Sequence, residues 1–185
     1  MDDDIEPSQS GQPSRSAIPA HLMSYLEFHR VDAEILIPGV PMPTVPLAAA
    51  AIGVAEARIL KSLIFATADR RLVLAIVAGP ARVDRTRLAA AAGLPHLRLA
   101  DPATVLAATG YPAGGVAPIA HITPIPVIID VGAASLDVAY GGAGIEEALI
   151  RIAPTDIIQL TNAIVADITR DDLPTPVAAA PPHTP

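Results

Sequence analysis

No long uninterrupted apolar run exists in this chain. The two longest stretches, Leu72 to Ala81 and Val45 to Ala55, are broken by Gly79-Pro80 and by Gly53. Mean hydropathy is +0.46, high enough to raise the question of a membrane. A spanning helix needs about 20 apolar residues, and neither stretch supplies them. The apolar content must therefore be divided among short strands and helices around a water-surrounded core. With 51% hydrophobic but only 3% aromatic residues, that core is made of Ala, Val, Ile and Leu. The N-terminal run Met1-Asp2-Asp3-Asp4-Ile5-Glu6 is acidic, whereas a secretory signal begins basic and continues apolar. The expectation is a cytoplasmic protein with no membrane partner. The absence of cysteine excludes disulfides, thiolate metal sites and a cysteine nucleophile.

Charge separates the ends from the middle. The net charge is −7, yet between 18 and 170 there are 13 acids against 11 bases, a net of −2. That balance disfavours extended phosphate tracking but allows contact with a short nucleic-acid end. Residues 1–17 are acidic and rich in Ser, Pro and Gln, and residues 171–185 are rich in Pro and Ala. Both are expected to be disordered tails, because neither can bury enough apolar surface to offset chain entropy. Residues 18–170 form one domain of a size that supports its own core.

Within that body, helical and strand patterns are interleaved. Ile18 to Arg30, with Leu22, Met23, Leu26 and Phe28, predicts an amphipathic helix. Thr44 to Ile52 predicts a helix capped by Thr44 and ended by Gly53. Ile59 to Ala66 and Leu72 to Val77 predict a hairpin, and Ala33 to Ile37 a short strand. Further helices are predicted at Asp84 to Ala92, from Asp101 to about Ala108, and at Pro154 to Leu160. Further strands are predicted at Val127 to Asp130, Ser135 to Ala139, Ala148 to Ile152 and Ala163 to Ile168. Hairpin-like spacings among helices favour an α+β fold with a mixed, curved or barrel-like central sheet and surrounding helices.

Four features could carry chemistry. Eleven of the twelve basic residues are Arg, and Lys61 is the only lysine. On a strand it shares a face with Ile59, Leu63 and Phe65. A desolvated amine is either a functional group of shifted pKa or a strand-end cation snorkelling to water. Gly110 to His121 holds three glycines and two prolines in its first nine residues, a shaped loop able to aim backbone N–H groups at an oxyanion. It has neither a Walker nor a dinucleotide spacing, and equally reads as a structural turn. Asp130 ends an apolar strand and either orients a ligand or caps a turn. Arg70, Arg71, Arg82, Arg85 and Arg87 form either a modest basic patch or an ordinary solvated surface. The five histidines show no metal-ligand spacing.

Together these segments resemble the YbaK/prolyl-tRNA-synthetase-associated family of trans-editing domains, from about Tyr25 to Arg170. The segments that carry the resemblance are TVPLAAAAIGV (44–54), ILKSLIF (59–65), GYPAGGVAP (110–118), PIPVIID (124–130), Gly141-Gly142 and LTNAIVADI (160–168). The resemblance implies an α+β fold and hydrolysis of the ester joining a mischarged amino acid to the terminal adenosine of tRNA. It implies Lys61 as the catalytic residue. It places Thr44, Gly114, Gly115, Val116, Ala117, Pro118, His121 and Asp130 at the substrate, with no metal and no cofactor. The implied partners are the tRNA acceptor end and, in addition, an aminoacyl-tRNA synthetase. The implied amino acid is of Cys, Ala or Ser size, on tRNA-Pro or a similar tRNA, and the implied form is free-standing. One departure stands out: Ala120-His121 follows Pro118-Ile119 where the family commonly has Gly. The alternative is a non-catalytic nucleotide- or amino-acid-binding or regulatory module of the same fold.

Overall fold

The computed structural model describes residues 15–170, and the two tails expected at 1–17 and 171–185 fall almost wholly outside that range. Arg15–Ala17 forms a 3-10 turn that leads into α1 (Ala20–His29). Pro19 opens this helix and Arg30, left-handed at φ 52, closes it. The expected apolar face of α1 is narrower than the sequence suggested. Leu22 is fully buried and Leu26 packs partly against the core, but Phe28 is 82% exposed. Leu22 and Leu26 are one helical turn apart, and Phe28 falls off that line.

The remaining elements are β1 (Glu34–Leu36), α2 (Val45–Ile52), β2 (Leu60–Ala66), β3 (Leu72–Ala78), α3 (Arg85–Ala92), β4 (Arg98–Leu99) and α4 (Pro102–Thr109). They continue with β5 (Val127–Asp130), α5 (Val131–Ala134), β6 (Ala139–Gly142), β7 (Leu149–Ile152), α6 (Pro154–Thr161) and β8 (Ile164–Ala166). Side-chain caps explain several helix starts. Thr44, Asp84 and Asp101 each accept a backbone N–H from the first turn, and Gly53, Gly93 and Gly110 end those same helices with positive φ.

One expected strand is displaced. Ser135 to Ala139 does not form a strand, because Asp130 accepts the Gly132 N–H and starts α5; the strand follows at Ala139–Gly142. The two-residue β4 carries too little pattern to be read from sequence.

The strands make a mixed five-stranded sheet in the order β4-β2-β3-β5-β8 and an antiparallel three-stranded sheet in the order β1-β7-β6. β2 and β3 are antiparallel, with Lys61 opposite Val77, while β3-β5 and β5-β8 are parallel. A parallel bridge from Ile59 to Tyr140 joins the two sheets at the start of β2. The large sheet is buried on both faces, which accounts for the nearly unbroken apolar run of β3. Leu60, Ile64, Leu74, Ile76 and Ile129 face the main core with Leu22, Tyr111 and Ile150. Phe65, Val73, Ala75, Val77 and Ile128 pack under Leu88 of α3 with Leu97 and Ile168. No helix of the described residues is long and apolar enough to cross a membrane.

Candidate active site

β2 pairs with β3 over its whole length but with β4 only at Phe65 and Ala66. Among the described residues its other edge therefore has no ladder partner from Leu60 to Leu63, and a cleft of about 300 Å³ is lined by these residues. The N-terminal turn of α2 contributes Thr44, Val45 and Ala48; the glycine loop contributes Gly114 and Val116; the β6–β7 turn contributes Gly142, Ile145 and Glu146. Among the lining residues Lys61 is the only cation and Glu146 the only anion.

Lys61 is half-buried at the start of β2. Its Nζ donates to the Ala81 carbonyl at 2.6 Å. Burial lowers its pKa below the ordinary 10.5, and the nearby Arg82 charge lowers it further. A carbonyl partner fixes the amine in place, and a protonated amine keeps two further N–H donors for a ligand.

The glycine loop is set by close backbone packing. Gly114 has φ 96, a conformation that glycine adopts without strain. Gly115 donates to Pro112 O at 3.0 Å, and its own carbonyl accepts the Gly144 N–H at 2.8 Å. A Cβ on Gly142 would lie 2.8 Å from the Gly115 carbonyl carbon and oxygen and 2.9 Å from the Val116 oxygen. β6 and the loop thus touch main chain to main chain. Among the described residues, the Gly114 and Val116 N–H groups donate to no backbone or side-chain acceptor. Both residues line the cleft.

Behind the loop the Tyr111 hydroxyl and the His121 ring are paired, whereas the buried His21 Nε2 has no hydrogen-bond partner among the described residues. Tyr111, fully buried, donates its hydroxyl to the carbonyls of Ile119 and Ala120 at 3.1 and 3.2 Å. Burial pushes its pKa well up. His121 Nε2 donates to Ala117 O at 3.0 Å. Burial lowers the His121 pKa; the Ala117 hydrogen bond opposes that shift and the charge of His21 adds to it. The His21 ring lies 4.7 Å from that of Tyr111.

The structure thus brings Lys61, Thr44, Gly114 and Val116 onto one cleft. Gly115, Ala117 and Pro118 do not line it; they make the frame that holds the loop. His121 lines a different hollow, with Tyr25, Thr123 and Leu160, and is tied to the loop from behind. Asp130 lies at neither hollow. Its Oδ2 accepts the Gly132 N–H at 2.9 Å and its Oδ1 the Ile168 N–H at 3.1 Å, so it caps α5 and pins the segment after β8. The five-arginine cluster also divides. Arg70 and Arg71 lie at the β2–β3 hairpin tip, where Arg71 pairs with Asp69, and Arg87 pairs with Asp167.

Two lining residues carry no warning in the sequence. Glu146 sits in a turn between strands, where a glutamate reads as a solvated charge. Ser62 follows Lys61, and its buried Oγ has no hydrogen-bond partner among the described residues.

Known proteins share this chain's sequence pattern and fold. The family profile described as aminoacyl-tRNA editing domain matches residues 40–160. The chain is 29% identical over 129 residues to the uncharacterized protein YwhH of Bacillus subtilis, covering 69% of this chain and 82% of that one. It is 30% identical over 121 residues to EbsC of Enterococcus faecalis, a candidate Cys-tRNA(Pro)/Cys-tRNA(Cys) deacylase, covering 65% of this chain and 74% of that one. Its fold superposes on the crystal structure of a candidate trans-editing enzyme for prolyl-tRNA synthetase with a TM-score of 0.72. That pair is 31% identical over 85% of this chain and 99% of the other.

Proposed function

The chain belongs to the aminoacyl-tRNA editing domain family, the YbaK/prolyl-tRNA-synthetase-associated group, and on that premise we propose that it hydrolyses mischarged aminoacyl-tRNA carrying a Cys-, Ala- or Ser-sized amino acid. The observation that carries this reading is that Lys61, Gly114, Val116 and Glu146 line one small cleft, the N–H groups of Gly114 and Val116 having no protein acceptor among the described residues. Each has a counterpart in an aminoacyl ester. The ester carbonyl gains negative charge when water attacks, and the N–H groups of Gly114 and Val116 are donors for that oxyanion. The bond that breaks joins the carbonyl carbon to the ribose oxygen, which leaves as the adenosine hydroxyl. Lys61, anchored on Ala81 O, holds the ester or terminal ribose-phosphate as an electrostatic clamp. Glu146 takes the α-ammonium group of the amino acid.

An aminoacyl ester is already activated, so orientation and charge stabilisation suffice without a protein nucleophile. The apolar walls from Val45, Ala48, Ile59 and Leu149 and the volume of about 300 Å³ suit a small side chain. One methylene in such a pocket changes selectivity by only about 1–3 kcal/mol, so substrates of similar size should compete.

The test is a panel of alanyl-, seryl- and cysteinyl-tRNAs, with Lys61→Ala assayed alongside. Hydrolysis of at least one substrate by the parent protein is expected, with loss in the variant at an unchanged melting temperature. If the parent clears none of them yet gives a thermal shift with a nucleotide or amino acid, the chain is a binding module of this fold.

A further inference from the structure

Lys61 adjoins Arg82, and the backbone around Arg82 in turn adjoins Arg170. The lysine Nζ binds the Ala81 carbonyl, and the next residue is Arg82. Arg82 is close enough for its charge to lower the lysine pKa. The Arg82 carbonyl in turn accepts the Arg170 N–H at 2.9 Å, and Val83 bridges to Thr169. Arg170 then lines a hollow of about 420 Å³ with Arg85 and His96, at the start of α3. Arg82, Arg85 and Arg170 are all exposed, and among the described residues none of them forms an ion pair. The one acid in that hollow, Asp84, has a carboxylate oxygen committed to the Thr86 and Arg87 N–H groups, and the Arg170 charge also lies near enough to help hold its pKa down. Asp171 and Asp172 follow Arg170 in sequence and lie outside the described residues.

Exposed guanidinium groups, two of them lining a hollow and a third between it and Lys61 along the chain, suit the oxygens of phosphodiesters. We propose that Arg82, Arg85 and Arg170 form a phosphate track that holds the acceptor strand of tRNA and leads its 3′ end to Lys61. This inference rests on the editing function proposed above, and it names the surface by which a mostly neutral body binds RNA. A track of three cations matches a short nucleic-acid end rather than an extended duplex.

The test uses the full chain and a labelled RNA acceptor-stem hairpin ending in CCA, whose binding is measured without any hydrolysis. Three phosphates at the single-strand slope predict that affinity falls roughly twentyfold as salt rises from about 50 to about 200 mM. The double variant Arg85→Gln/Arg170→Gln should weaken binding about tenfold and flatten the log–log salt slope by about 1 or more. Arg71→Gln, at the far end of the β2–β3 hairpin, should change neither. For any substrate the parent cleaves, the double variant should raise KM for aminoacyl-tRNA and not for the matching 3′-aminoacyl-adenosine. Parental affinity and slope in the double variant would overturn the track, as would equal KM changes for both substrates or no hairpin binding by the parent. Arginine-dependent hairpin binding without hydrolysis of any substrate would keep the track and reject the editing function.

Discussion

The two faces of the Gly110–His121 loop are built on opposite principles. On its front, where Gly114 and Val116 line the cleft with Lys61, two main-chain N–H groups have no protein partner among the described residues. On its back, the Tyr111 hydroxyl and the His121 ring satisfy the carbonyls of Ile119, Ala120 and Ala117. Buried polar groups left unpaired are costly, so the paired back fixes the loop while the open front keeps its donors for a ligand. Lys61 follows the same division, with one donor tied to Ala81 while the residue lines the cleft. The contrast teaches that Tyr111 and His121 are bonded so as to hold the loop, while the less satisfied groups on its front are those the proposed chemistry would use.

The strongest way to break this contrast is at the front. Lys61→Ala should lower turnover by at least about a hundredfold, the scale of removing one preorganised charge at an oxyanion. The pH profile separates clamp from base. A clamp loses its charge as pH rises through the Lys61 pKa, which lies below 10.5, so kcat falls on the alkaline side. A rise of kcat through that region would instead assign Lys61 as the base.

Gly142→Ala comes next, because its Cβ would meet the loop backbone at 2.8 Å with no side chain to give way. We expect kcat/KM to fall about tenfold and stability by about 1–3 kcal/mol, read from kinetics and from denaturant unfolding. Glu146→Gln should raise KM about threefold to tenfold for a free aminoacyl ester, but leave an N-acetylated one unchanged, since the latter has no ammonium to pair.

The back face should respond in stability rather than in chemistry. Tyr111→Phe removes the donor to two buried carbonyls and should cost about 1–2 kcal/mol, with kcat within about twofold of the parent. The smallest effect is that of acid. The pKa values of His21 and His121 are both lowered below 6.5 in the fold, so each favours its neutral form there. Their contribution is fully present above about 6.5 and is lost as pH falls through the folded values. Melting temperature against pH should therefore decline on that side, and His121→Gln should flatten the decline.

Much of this was legible in the chain itself. Thr44, Asp84 and Asp101 announced their helices, and Gly53, Gly93 and Gly110 ended them, because caps are local chemistry. The branched runs around Lys61 and Leu74 gave the hairpin, and the solitary lysine beside a shaped glycine loop marked the site. Asp130 shows where local reading divides, since a carboxylate ending a strand suits ligand and cap alike; here its two oxygens go to Gly132 and Ile168. His121 lies next to the loop in sequence but behind it in space. Glu146 reaches the cleft only because Gly142 and Gly144 let its turn lie against Gly115. The arginines were a single group in sequence until the hairpin carried Arg70 and Arg71 to one end and left Arg82 beside Lys61 at the other. Sequence therefore determined most of the elements and singled out the one lysine that lines the cleft, since caps, periodicity and composition act over a few residues. Tertiary structure decided which groups share a cleft and which stand behind it, because strand pairing and backbone contact join residues that are far apart in the chain.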